Sequence, residues 1–151
     1  MNLKALMGSG HKIVLFTLPF LVVGLALNTL RPTLFAVRGL RVFLKVLAVI
    51  MLIVGVTIWI WSAALILTKV PKGQLITSGP YAVIKHPLYT AVGLLVLPGI
   101  GLLLGSWLGA LIGIALYVGS RLFTPGEERE LSQSFGFAWE EYCRNVKIAW
   151  L

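Results

Sequence analysis

A chain of 151 residues that is 58% hydrophobic and only 12% charged, with a mean hydropathy of +0.94, falls outside the ordinary soluble globular class. Its apolar runs reach membrane-spanning length, so it reads as one integral membrane domain over residues 1–151. The net charge is +8, yet all five acidic residues (Glu127, Glu128, Glu130, Glu140 and Glu141) fall in the last 25 positions, and without any nucleic-acid-reading motif this basic excess points to membrane lipids rather than to nucleic acid.

The first apolar run, Ile13 to Leu30, follows a short basic start as a signal peptide would. It has no small-residue cleavage site and further spans follow, which predicts a retained first helix. The second run, Val42 to Leu67, is long enough to span with tilt, and Lys45 lies close enough to its end to snorkel. Trp59 and Trp61, near its far end, suit the membrane interface. A polar segment from Lys69 to His86 comes next. From Leu88 to Phe123 the chain is apolar for longer than one span requires, and Pro98, Gly99, Gly101 and Gly105-Ser106 interrupt it. This predicts two short spans, about 88–104 and 107–123, joined by a tight turn near Gly105 and kinked at the Pro-Gly region. A single kinked helix with a re-entrant segment is the competing parse.

In the tail, Thr124 suits an N-cap, Pro125 the first helical position and Glu127 the third, and the early acids complement a helix dipole. Leu131, Phe135, Trp139, Tyr142 and Val146 then recur at helical spacing, predicting an amphipathic helix over about 125–146 lying on the membrane surface. The expected fold is all-α, with about four transmembrane helices plus this C-terminal amphipathic helix.

Four spans would bring the N-terminus, the Lys69–His86 loop and the tail to one side, and the Arg31–Arg41 loop and the Gly105 turn to the other. The first side then carries nine of the thirteen Lys and Arg residues, so the positive-inside rule predicts both termini on the cytoplasmic side of an inner or plasma membrane. An odd number of spans between them would separate the polar loop from the glutamates.

One cysteine, Cys143, allows no internal disulfide, and no Cys/His cluster suited to zinc is present, so no metal is expected. The polar stretch Ser78 to Tyr89, SGPYAVIKHPLY, is followed by the hairpin, EExxL from Glu127 to Leu131, FGxxW from Phe135 to Trp139, and Tyr142. This order and spacing resembles the isoprenylcysteine carboxyl methyltransferase and phospholipid methyltransferase superfamily of membrane enzymes, over roughly Leu75 to Val146. The chain departs from that superfamily's pattern at Lys85, where Arg is usual, at Trp139, where a tyrosine is, and at Thr124-Pro125-Gly126, where charged residues tend to precede the glutamate pair.

The resemblance implies S-adenosylmethionine as cofactor and a lipophilic or lipid-anchored methyl acceptor, with membrane lipids as neighbours. It implies Tyr81, Lys85, His86, Pro87, Tyr89, Glu127 and Glu128 as the cofactor-binding set. Lys85 with His86 suits the cofactor carboxylate, Glu127 or Glu128 its ammonium or ribose hydroxyls, and Tyr81 and Tyr89 its adenine. His86 and Glu128 are the candidate catalytic groups where the acceptor must lose a proton, and Arg121 is expected to meet an anionic acceptor or a headgroup. Glu127 reads equally as a helix cap, which would leave Glu128 as the ligand contact. Gly99-Ile100-Gly101 reads as close packing more than as a binding element, and His11-Lys12 as a membrane boundary. An NADPH-dependent membrane reductase and a non-catalytic four-helix protein are the alternatives from other classes.

Overall fold

The computed structural model describes residues 3–39 and 41–148. Its described part is helical: α1 (Leu3–Leu30), α2 (Arg41–Lys69) prolonged by a 3₁₀ turn (Val70–Lys72), a second 3₁₀ turn (Gly79–Ala82), α3 (Pro87–Leu103), α4 (Leu108–Phe135) and α5 (Phe137–Asn145). Three stretches, Gly10–Leu30, Val42–Lys72 and Leu108–Phe135, are long and apolar enough to cross a membrane. The apolar α3 is shorter, so the expected count of about four spans is met by three full helices and this short one. A π-helical segment, Val92–Val96, lies just ahead of Pro98, where the sequence predicts a kink. Widened turns are one of the ways a helix absorbs a proline, which lacks the N–H its i−4 carbonyl needs.

The helices pack in the spatial order α1, α4, α3, α2. Lipid tails are as apolar as leucine, so close van der Waals contact must replace the hydrophobic drive between helices, and small residues permit it. Each crossing has its glycines. A Cβ on Gly24 of α1 would stand 2.6 Å from the Leu108 side chain, and one on Gly119 of α4 would stand 2.8 Å from Phe16. Gly55 receives Leu95 of α3, and Gly99 receives Leu52 of α2. At the α3–α4 crossing the contact is backbone on backbone: Gly113 meets the Gly93 carbonyl and Gly109 the Leu97 carbonyl. Gly99 and Gly101 are therefore packing positions.

The two ends of the bundle are as the span parity requires. At one end the loop after α1 pairs with the α3–α4 turn, through Val37 N–H to Gly105 O at 2.8 Å and Trp107 N–H to Phe35 O at 3.0 Å. Phe35, Leu108 and Ile112 are buried together there. At the other end the KHPLY loop meets the glutamates of α4.

The tail differs from expectation. Thr124 is not an N-cap, because α4 runs unbroken through Thr124 and Pro125 to Phe135, and Thr124 is buried. Pro125 deprives the Arg121 carbonyl of its helical donor just past Phe123, where the apolar stretch ends. The break comes instead at Gly136, whose φ of 51° and ψ of −122° suit glycine alone. α5 then folds back, so the expected single helix over 125–146 is the distal part of α4 plus α5. Its apolar stripe is not laid on lipid: Trp139, Tyr142 and Val146 form a buried cluster with Leu75, Leu131 and Phe135.

Candidate active site

The SGPY segment is held by its own turn chemistry. Gly79 has φ +65°, and a Cβ there would lie 3.0 Å from the Trp61 indole, so glycine is required both for the backbone and for the seat on α2. Lys69 Nζ donates to Ser78 Oγ at 2.8 Å, and the Ile84 amide returns to Pro80 O at 3.0 Å. Pro87 then opens α3 in the position where its missing N–H costs nothing, with His86 immediately before it and Thr90 Oγ1 donating to His86 O.

This geometry points Lys85 and His86 at one carboxylate. Lys85 Nζ lies 2.8 Å from Glu128 Oε2, and His86 Nε2 lies 2.9 Å from Glu128 Oε1. The three side chains are 11%, 12% and 27% exposed, so these contacts are shielded from water far better than a surface ion pair. Glu128 lies beyond the apolar stretch of α4. Burial would raise its pKa, but the hydrogen bonds from His86 and Lys85 and their charges outweigh burial and hold it at about 2. The Lys85 ammonium also stands 5.4 Å from the centre of the Trp139 ring. Two of the departures from the superfamily pattern, Lys85 and Trp139, are thus partners: a compact ammonium faces the aromatic ring best suited to a cation.

α5 is tied to the same loop. The Tyr142 hydroxyl donates to Tyr81 O at 2.9 Å, and the Ile148 amide donates to Val83 O at 2.9 Å. Burial pushes the phenols of Tyr142 and Tyr81 well above their ordinary range, with negative neighbours adding to the effect, so both remain protonated donors. Tyr142→Phe removes one neutral hydrogen bond and leaves the Tyr81 carbonyl without that donor. We expect a loss of about 1 kcal/mol, seen as a lower thermal midpoint and faster amide exchange at Val83 and Ile84; unchanged exchange there would mean that the tether carries no weight.

Between these elements lies a cavity of about 610 Å³. Tyr81, Lys85, His86, Tyr89 and Glu127 face it, joined by Trp139 and Tyr142 of α5. Its remaining walls are mostly apolar and come from Ile13 and Val14 of α1, Ile66 and Val70 of α2, Leu88 and Val92 of α3, and Leu116 and Leu131 of α4. Of the expected site residues, Glu127 is thus the glutamate in the wall, whereas Glu128 locks Lys85 and His86 from outside it. Pro87 is buried beneath the loop as a helix start and does not line the cavity, and Arg121 is exposed on α4 and stands apart from the wall. Lys85 and His86 do not stand open for a ligand carboxylate but share Glu128. Sequence reasoning missed His11 and Gln74, which also line the cavity; no motif marks either one. Among the described residues no group of three or more His, Cys, Asp or Glu is arranged to hold a metal.

The sequence profile of the isoprenylcysteine carboxyl methyltransferase (ICMT) family matches residues 37–133. The chain belongs to the ICMT family. It is accordingly an integral membrane protein of a methyltransferase family, and the matched segment carries the SGPY and KHPLY elements, the glycine hairpin and both site glutamates. α1 and α5, which complete the cavity wall, lie outside the matched segment. No curated protein and no solved structure matches the chain significantly.

Proposed function

We propose that the cavity binds S-adenosylmethionine and transfers its methyl group to a lipophilic or lipid-anchored acceptor at the membrane–cytosol interface. The observation that carries this reading is the juxtaposition, in one cavity, of a polar end built from Glu127, the Lys85–Glu128–His86 cluster and three tyrosines with apolar walls contributed by all four long helices. The volume lies within the roughly 300–1,000 Å³ of small-molecule sites, and the donor set fits an amino-acid nucleoside. Glu127 suits the ammonium or the ribose hydroxyls, and Trp139 with Tyr142 the adenine.

When bound, the sulfonium supplies a methyl carbon already activated for displacement. What remains for the chain is orientation and exclusion of water. Glu128 fixes the positions of Lys85 and His86, the tether of α5 to the loop closes the polar end, and the α1 and α2 walls admit an apolar chain. The cytoplasmic placement of this end rests on nine of thirteen cations lying on its side. Nothing in the geometry favours a nicotinamide reductase, and family membership speaks against one.

Calorimetry on the purified protein in detergent tests the cofactor. S-Adenosylhomocysteine is expected to bind saturably, NADPH not at all, and Glu127→Ala to weaken binding about tenfold or more, as expected for the loss of a charged hydrogen bond. Binding of NADPH without binding of the thioether would overturn the reading.

A further inference from the structure

We infer that Lys85 is a positioning residue of this site: it holds the Trp139 indole, and with it α5, in place as the cavity wall that receives the cofactor's ring system, and its own ammonium is not a ligand contact. The inference rests on the cofactor reading above for the identity of that ligand, and goes beyond it by giving Lys85 and the α5 wall one shared role.

The Lys85 side chain lines the cavity and is 11% exposed. An ammonium has three donors and no acceptor, and here groups of the protein surround it. Glu128 Oε2 lies 2.8 Å from Nζ, and the centre of the Trp139 ring lies 5.4 Å from it. Cys143 is the third neighbour: burial raises the pKa of its thiol, while the charge of Lys85 and a hydrogen bond from it act in the opposite sense. Trp139 and Cys143 are four residues apart on α5 and so share a face of that helix. A ligand carboxylate would have to displace one of these partners.

α5 depends on such a hold. It leaves α4 at Gly136, where an added Cβ would meet nothing within 4 Å, so the turn itself adds no packing that would press α5 onto the cavity. The apolar cluster of Trp139, Tyr142 and Val146 with Leu75, Leu131 and Phe135 buries one face of α5, but apolar burial is non-directional and does not fix the angle of a ring. A cation does, because it is attracted to the ring face, and most strongly where both groups are withdrawn from water. Trp139 is 7% exposed. The Tyr142 ring stands 5.4 Å from the Trp139 ring, and its hydroxyl donates to Tyr81 O. Two anchors four residues apart in one loop, Tyr81 O and the Lys85 ammonium, thus set both rings that α5 presents to the cavity.

A double-mutant cycle on the full-length protein in detergent separates this role from direct ligand contact. Lys85→Gln keeps a donor for Glu128 but brings no charge to the indole, and Trp139→Leu removes the ring. Each is expected to weaken calorimetric binding of S-adenosylhomocysteine about tenfold, and the double variant to bind no more weakly than the worse single one. Lys85→Arg, whose guanidinium also pairs with carboxylates and stacks on aromatic rings, should retain affinity within about threefold. As a readout that needs no ligand, amide exchange across α5 should quicken in Lys85→Gln and not in Lys85→Arg, with exchange at the Gly93–Gly113 crossing unchanged. Losses that multiply in the double variant, or α5 exchange in Lys85→Gln equal to wild type, overturn the inference. Should S-adenosylhomocysteine fail to bind the wild type, the cofactor reading falls, and ligand-free exchange alone then decides whether Lys85 holds α5.

Discussion

Glu128→Ala is expected to weaken binding of S-adenosylhomocysteine about 100-fold and to destabilise the fold by about 2–3 kcal/mol. One carboxylate holds both Lys85 and His86, which are only 11% and 12% exposed, so its removal leaves a nearly buried ammonium and an imidazole without their acceptor. Breaking a fully buried pair costs roughly 3–5 kcal/mol, and the 27% exposure of Glu128 brings the figure down. Glu128→Gln keeps the shape and an acceptor oxygen and should fall between the two. The same contact sets a pH dependence. Because the carboxyl is held at about 2 against an ordinary 4.5, its stabilisation is fully present above pH 4.5 and is lost as the pH falls towards 2. Thermal unfolding in detergent at pH 7, 5 and 3 should show the wild type losing stability over the last interval while Glu128→Gln loses less. Parallel pH profiles for the two proteins would remove Glu128 as the organising charge.

Gly113→Ala should be costly out of proportion to one methyl group. The added Cβ meets the Gly93 carbonyl, and helical backbone cannot swing away as a side chain does. Overpacking of a tight core costs about 1–3 kcal/mol and occasionally more, and here the displacement would separate α3, which begins at the KHPLY loop, from α4, which carries the glutamates. Gly113→Leu is expected to prevent the hairpin from closing and to abolish cofactor binding. Gly126, in the same helix with open space where a methyl group would stand, supplies the control: Gly126→Ala should be neutral or stabilising by about 0.5–1 kcal/mol through helix propensity. Equal thermal midpoints for Gly113→Ala and Gly126→Ala would show that the crossing is looser than its geometry.

Much of this site is legible in the chain alone. Tyr81, Lys85, His86, Tyr89 and Glu127 do line one cavity, and the parity of spans does bring the KHPLY loop to the glutamates. What the motif cannot apportion is the work of the two adjacent acids. Neighbours on a helix point about 100° apart, so only one of them faces the cavity, and which one depends on how α4 is rotated against α3. That rotation is set by Gly109 and Gly113 against the α3 backbone. Thr124-Pro125 reads as a helix start because capping chemistry is local. Tertiary packing of α1 and α3 on α4 carries the helix through the proline regardless.

Hydropathy, chain breakers and motif order are properties of neighbouring residues. The membrane class, the approximate limits of the apolar helices, the turn at Gly105 and the family are therefore written in the chain itself. Three features emerge only on folding: α5 turns back at Gly136 and sets Trp139 against Lys85, Arg121 stands outside the cavity wall, and His11 stands in it. Those contacts join residues far apart in the chain. They depend on the rotation and depth of each helix, which side-chain and glycine packing settle and no local pattern encodes.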